Sequence, residues 1–135
     1  MIDIYVDQIM TEDLVTVEKS QSLVAAGGVM IDADVKSVVV SEDNRPIGIL
    51  TSTDFVQAAA DGDAPTDVAV ADCMTHDIVT TTPDSVIHEA AALMVDHDIS
   101  HLPVVRNDGR LAGIVTTTDV AAYVSGIDDL PREGR

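Results

Sequence analysis

The stretch "GILTSTDF" at residues 48–55 returns as "GIVTTTDV" at residues 113–120, and it does not return alone. With the second half of the chain set beneath the first, Met10-Thr11 meets Met74-Thr75, Val15-Thr16 meets Val79-Thr80, and Met30 meets Met94, all at an offset of 64. Gly48 then meets Gly113 and Asp54 meets Asp119 at 65, so the second copy carries one extra residue between Met94 and Gly113. Self-similarity of this kind marks a repeated supersecondary unit. It restricts the chain to two copies of one small fold.

Each copy has the same pattern. A short strand, "LVTV" or "IVTT", follows the Met-Thr turn. Leu23, Ala26, Gly27, Met30 and Ile31 then fall at helical spacing, mirrored by Ile87, Ala90, Ala91, Met94 and Val95, which predicts a helix with this face in the core. Two apolar runs follow, "VVV" then "IGIL" and "LPVV" then "AGIV", split by "SEDNRP" and "RNDGRL". Asp108-Gly109 is a hairpin signal, and Asn44 at the matching place tolerates the same turn. A closing helix, "DFVQAAAD" or "DVAAYVSG", ends at Gly62 or Gly126. The unit reads β-α-β-β-α, which makes the fold class α/β (α+β). The expected organisation is a first repeat at 1–60, a linker at 61–69 around "DGDAPTDVA", a second repeat at 70–126 and a tail at 127–135. Three strands and two helices cannot cover their own apolar face. The copies are therefore expected to pack sheet to sheet about a pseudo-twofold axis, leaving a cleft between them.

Composition narrows the function. Twenty-four Asp and Glu stand against 7 Lys and Arg, a formal net charge of −17, and such a field repels nucleic-acid phosphates and anionic membrane surfaces. The acids are scattered, as at Asp32, Asp34, Asp61, Asp63, Asp96 and Asp98, which predicts a solvated acidic skin. This usage resembles that of proteins from salt-loving archaea, where molar salt shortens the screening length to about 3 Å. At 46% hydrophobic residues the chain is too apolar for a disordered acidic tail, and no apolar run reaches membrane length. The N-terminal "MIDIYVDQIM" lacks the basic flank of a signal peptide, so a cytoplasmic location is expected. The lone Cys73 cannot close an internal disulfide or build a cysteine zinc site.

The doubled motif offers chemistry. Thr51 and Asp54 lie three residues apart where a strand enters a helix, as do Thr116 and Asp119, which can place each pair on one side of the first turn. A carboxylate there can accept from both hydroxyls of a vicinal diol, while the threonine hydroxyls and unpaired helix N–H groups can donate to a phosphate. Gly48 and Gly113 permit close backbone approach, and Val15-Thr16 and Val79-Thr80 offer flat apolar walls and backbone groups for a base. Aromatic stacking is scarce, since aromatic residues make up 2% of the chain. A plain alternative stands beside this: Thr or Asp before a helix often only caps it, and a duplicated unit duplicates its caps.

The Met-Thr turn, the "VTV" strand, the helix, the "SHLPVV" strand and the "GIVTTTD" close together resemble the CBS domain, and the pair resembles a Bateman module. The resemblance runs from about Val6 to Tyr123. It implies an adenosine site at G-x-x-(T/S)-x-x-D, with the Asp on the ribose hydroxyls and the Thr near ribose or phosphate. The pattern maps onto Gly48, Thr51 and Asp54, and onto Gly113, Thr116 and Asp119. A basic residue often precedes the second strand in that family. Lys36, His101 and Ser100 are the candidates here, with Arg45 and Arg110 as further cations. AMP, ADP, ATP and the cationic S-adenosylmethionine are the implied regulatory ligands, and none is a required cofactor. The expected partner is an unidentified effector protein, and the family commonly forms a flat homodimer.

Other readings are weaker. His97 and His101 have the spacing of a helical zinc pair, but the equivalent residues are Ala33 and Ser37, so no metal site is expected. Cys73 aligns with the apolar Ile9, which suits a buried thiol. No P-loop, dinucleotide fingerprint or catalytic triad is present, so an enzyme is not expected. The expected function is a ligand-sensing regulatory module. The alternative is a structural dimerisation module in which the Thr-Asp pairs only cap helices.

Overall fold

The computed structural model describes residues 4–126. A 3-10 turn (Val6–Gln8) is followed by β1 (Thr16–Val17), α1 (Leu23–Ala33), β2 (Ser37–Glu42), β3 (Arg45–Thr51), α2 (Ser52–Ala60) and α3 (Val70–Cys73). The second copy supplies α4 (Ile87–His97), β4 (His101–Val105), β5 (Leu111–Thr116) and α5 (Thr117–Val124). In one sheet β1 runs parallel to β2, which pairs antiparallel with β3; in the other β4 pairs antiparallel with β5. The result is the mixed α and β architecture expected from the repeat.

The two compact units are shifted against the sequence repeats. One is Asp13–Ile78; the other joins Met1–Glu12 to Val79–Arg135. In the first unit the Met74-Thr75 segment crosses β3, where Thr75 N–H donates to the Ile49 carbonyl at 2.8 Å and Ile49 N–H donates back at 3.0 Å. In the second, Thr11 makes the same exchange with Ile114 of β5, at 2.9 and 3.0 Å. The helix starts repeat the arrangement. Leu23 N–H donates to the Val68 carbonyl and Ile87 N–H to the Ile4 carbonyl, both at 2.9 Å, so a segment remote in sequence satisfies each helix's orphan donors.

Each unit has its own apolar core. Val17, Leu23, Ala26, Met30, Val38, Val40 and Leu50 pack in the first; Val6, Ala90, Met94, Leu102, Val104 and Val115 pack in the second. Ile31 and Val95, expected on the core face, are 80% and 78% exposed. Helix geometry gives the reason. At about 100° per residue, Leu23, Ala26 and Met30 span a narrow arc, and Ile31 lies about 80° beyond Leu23.

The strand expected at "IVTT" is reduced to one parallel bridge, Thr81 to Val104. Thr81 N–H donates to the Pro103 carbonyl at 3.0 Å, and Val105 N–H donates to the Thr81 carbonyl at 2.8 Å. The next group along that side of β4 would be the N–H of residue 103, and proline has none. In the first copy Val39 stands at that place, and Thr16 pairs with it.

The extra residue of the second copy lies in the hairpin. Glu42 pairs with Arg45 across a two-residue turn in which Asp43 (φ 53°) and Asn44 (φ 64°) are both left-handed, the primed turn that matches strand twist. The second hairpin uses three residues, with Gly109 at φ 88° and Arg106 N–H donating to the Arg110 carbonyl at 2.8 Å. Both ladders then shift register, between Val40 and Ser41 and between Val104 and Val105. No helix among the described residues is long and apolar enough to cross a membrane.

Candidate functional site

Strand register decides which candidates meet. Thr16 pairs with Val39, and Ser37 pairs with Thr51, so the start of β1, the start of β2 and the end of β3 share one end of the first sheet. Val15-Thr16, Lys36, Thr51 and Asp54 are thereby gathered. In the second unit Thr81 bridges Val104 and His101 pairs with Thr116, which gathers Val79-Thr80, His101, Thr116 and Asp119. Arg45 and Arg110 do not join them. Each sits at the hairpin end of its strand, and six residues of extended chain separate Arg45 from Thr51, about 20 Å. Within its own unit neither arginine reaches the Thr-Asp motif.

At the first motif Thr51 is the N-cap of α2 with extended backbone (φ −122°, ψ 169°). The Thr51 N–H donates to Asp54 Oδ2 at 2.9 Å, and its hydroxyl approaches the same oxygen at 3.3 Å. The Thr75 hydroxyl reaches the other oxygen, Oδ1, at 3.5 Å. At the second motif Thr116 caps α5. Its N–H donates to Asp119 Oδ2 at 2.9 Å, and its Oγ1 accepts from the Asp119 N–H at 3.2 Å, closing a reciprocal capping box. All four side chains are half-buried. The carboxylates are therefore helix caps, and each also presents an edge at the sheet end.

The first residue of each helix is tied to the start of the central strand. Ser52 N–H donates to the Lys36 carbonyl at 3.2 Å, and Thr117 N–H donates to the Ser100 carbonyl at 3.0 Å. Lys36 is exposed beside the first motif, while its second-copy counterpart is Ser100 and the adjacent His101 is half-buried opposite Thr116. His97 and His101 do not share a helix face, because α4 ends at His97 and Asp98 turns left-handed at φ 53°. Among the described residues no cluster of three or more His, Cys, Asp or Glu has metal-site geometry.

Gly48 and Gly113 permit a close approach, and what approaches is the chain itself. A β-carbon on Gly48 would lie 2.6 Å from Met74 Sδ and 3.0 Å from the Thr75 carbonyl oxygen; on Gly113 it would lie 2.8 Å from both Met10 Sδ and the Thr11 oxygen. Sequence reasoning misses Thr75 as a neighbour of Asp54, although a signal is present in two mid-strand glycines and two Met-Thr pairs, all repeated. Cys73 is half-buried; burial raises its thiol pKa first, and Asp63, Asp72, Asp54 and Asp61 raise it further.

Comparison with known proteins bears on the fold and the family. The chain is 34% identical over 122 residues to an uncharacterized protein of Methanopyrus kandleri, covering 89% of this chain and 62% of that one. It is 35% identical over 121 residues to a homoserine O-acetyltransferase of Methanohalobium evestigatum, covering 89% of this chain but 24% of the enzyme. The chain thus spans less than two thirds of either relative. Among solved structures, the CBS domain pair of protein MJ0100, in complex with 5′-methylthioadenosine and S-adenosyl-L-methionine, superposes with a TM-score of 0.85 at 25% identity, covering 93% of this chain and 98% of that one. Residues 6–61 and 70–126 each match the family described as the CBS domain. The chain belongs to the CBS domain family and carries a pair of its domains.

Proposed function

We propose that this chain is a regulatory module that binds an adenosine derivative at its Thr-Asp motifs and signals occupancy to an effector protein. The observation that carries the reading is the convergence, at one end of each sheet, of a carboxylate, a threonine and a β-strand start. Asp54 or Asp119 would accept from the ribose hydroxyls, Thr51 or Thr116 would meet ribose or phosphate, and Val15-Thr16 or Val79-Thr80 would flank the base. Lys36 and His101 are the phosphate candidates of their units. One exposed lysine and one histidine form a sparse phosphate site in a chain of net charge −17, which favours a cationic or neutral adenosine compound over a polyphosphate. The ligands of MJ0100 support that preference. The matched part of the homoserine O-acetyltransferase supports an enzyme as the kind of effector, the ligand acting by differential affinity for two states of the module.

Thermal unfolding in concentrated potassium chloride tests the reading, with AMP, ADP, ATP, S-adenosylmethionine, 5′-methylthioadenosine and adenosine each titrated over a wide range. At a hundredfold excess over Kd, a ligand bound to the folded state adds about 2.7 kcal/mol. For a chain of this size that is a Tm rise of about 8–10 °C. Silence from all six refutes adenosine sensing and leaves the second reading, a structural interaction module. That reading draws on the capping hydrogen bonds of both carboxylates and on exposed apolar side chains at Ile31, Val56, Val95 and Val124.

A further inference from the structure

The Met-Thr clamp occurs twice, but its sulfur is not equally covered. In the first unit Met74 lies over Gly48 and belongs to the buried core, where it is 8% exposed. In the second, Met10 lies over Gly113 and only flanks the core of Val6, Met94, Leu102 and Val115, where it is half-buried. Met30 and Met94 are 6% and 3% exposed, so among the described residues Met10 is the thioether most open to solvent.

Its position gives that exposure a consequence. Met10 Sδ and the Thr11 carbonyl sit so close above Gly113 that one β-carbon there would lie 2.8 Å from each. An oxygen added to the sulfur has no room on that side. Turned the other way, the side chain gives up its packing against the core. A sulfoxide is also a polar acceptor, which aliphatic neighbours leave unsatisfied. The next residue, Thr11, holds Ile114 of β5 by the hydrogen bonds of 2.9 and 3.0 Å, so whatever displaces Met10 falls on that pair.

We propose that Met10 is an oxidation site, and that its conversion to the sulfoxide by a peroxide releases residues 4–11 from β5. The sulfur lone pair attacks one oxygen of hydrogen peroxide; an S–O bond forms, the O–O bond breaks, and the second oxygen leaves as water with both protons. Sulfur gives up two electrons and the peroxide takes them. Thiol-dependent methionine sulfoxide reductases return the thioether, so the modification is reversible. Met74, shielded by burial, keeps the equivalent clamp on Ile49 closed under the same dose. The two clamps match in their backbone hydrogen bonds and differ in sensitivity to oxidant.

Hydrogen peroxide treatment of the folded full chain tests the assignment. Peptide mass mapping of the natural chain, with fragmentation to separate Met10 from Met1, gives the oxidation rate at each methionine. Met10 is expected to gain oxygen about tenfold faster than Met74. Stability and amide exchange are read in Cys73→Ala, which lacks the competing thiol. There oxidation is expected to lower Tm by about 4–7 °C. Exchange at Thr11 and Ile114 is expected to rise about tenfold, while Thr75 and Ile49 stay as they were. Methionine sulfoxide reductase with dithiothreitol should reverse both changes. Met10→Leu, made in the same background, keeps the packing without the sulfur and is expected to hold its untreated Tm and exchange after the same dose. Equal oxidation rates at Met10 and Met74 overturn the site, and that comparison needs no variant. An oxidised Met10 with unchanged exchange at Thr11 and Ile114 overturns the release. A treated Met10→Leu protein that loses as much stability as its parent overturns the link between Met10 and the loss.

Discussion

Replacing Gly113 by alanine sets two principles against each other. Gly113 has no left-handed backbone, and on intrinsic propensity alone alanine in a strand interior gains about 0.5–1 kcal/mol. Its surroundings dictate the opposite. The new methyl carbon would lie 2.8 Å from Met10 Sδ and from the Thr11 carbonyl oxygen, and 3.1 Å from Met10 Cγ. The thioether can swing aside, but the carbonyl cannot without breaking the pair of hydrogen bonds that joins Thr11 to Ile114. Overpacking costs about 1–3 kcal/mol, and each backbone hydrogen bond lost about 1 kcal/mol. The expected net destabilisation is about 2–4 kcal/mol. Converted at the unfolding entropy of a chain of this size, that lowers Tm by about 7–14 °C. Gly28→Ala in α1 is the control: nothing lies within 4 Å of its added methyl, and the expected change is a gain of about 0.5–1 kcal/mol. Urea and thermal unfolding of both variants in one buffer give the two signs. A Gly113→Ala protein as stable as the parent would refute the claim that the Met-Thr segment is clamped against β5.

Two further outcomes follow from charge. The Cys73 thiol, raised by burial and by Asp63, Asp72, Asp54 and Asp61, should react with iodoacetamide along a pH profile displaced upward from that of glutathione; Asp63→Asn should move it back, and a profile at or below glutathione's would contradict that electrostatic account. With a net charge of −17 the folded state repels itself, so Tm should rise with potassium chloride toward molar concentrations, and a flat Tm would show that the acidic skin carries no such penalty.

The repeat makes most of the fold legible in the amino-acid sequence alone. The order of strands and helices, the hairpins at Asn44 and Asp108-Gly109, and the buried stripe of Leu23, Ala26 and Met30 all rest on local pattern, and local pattern is what a sequence displays. Three things escape it. The apolar pattern continues through Ile31 and Val95, which a helix of 3.6 residues per turn carries out of the core. Pro103 is visible in "SHLPVV", but its effect falls on a neighbouring strand that the proline itself does not belong to. The attachment of Tyr5–Thr11 to residues 79–126 depends on pairing across some eighty to a hundred residues, for which the sequence offers only the repeated mid-strand glycines and Met-Thr pairs. The Thr-Asp motifs are legible as positions, and the side chains that meet them are not. Both candidate roles of the carboxylates are legible too, and the capping hydrogen bonds at Thr51 and Thr116 fill the structural one.

The crossed attachment of the Met-Thr segments also governs how the chain assembles as it emerges during synthesis. Residues 13–78 are contiguous, and even distant partners, such as Lys19 and Ala71, are in hand once little more than the first half has been made. The segment around Thr11 must wait for Ile114, which is made near the end. Closing so long a loop is slow relative to local pairing, so the first unit should be complete while Ile9 and Met10 still lack their strand. Once β5 is made, and until that loop closes, it has no occupant on the side that Thr11 will take. The Met-Thr segment of another nascent chain presents the same two residues to it. Dense polysomes would therefore favour exchange between chains, and the same interdigitation that knits one molecule together would link two.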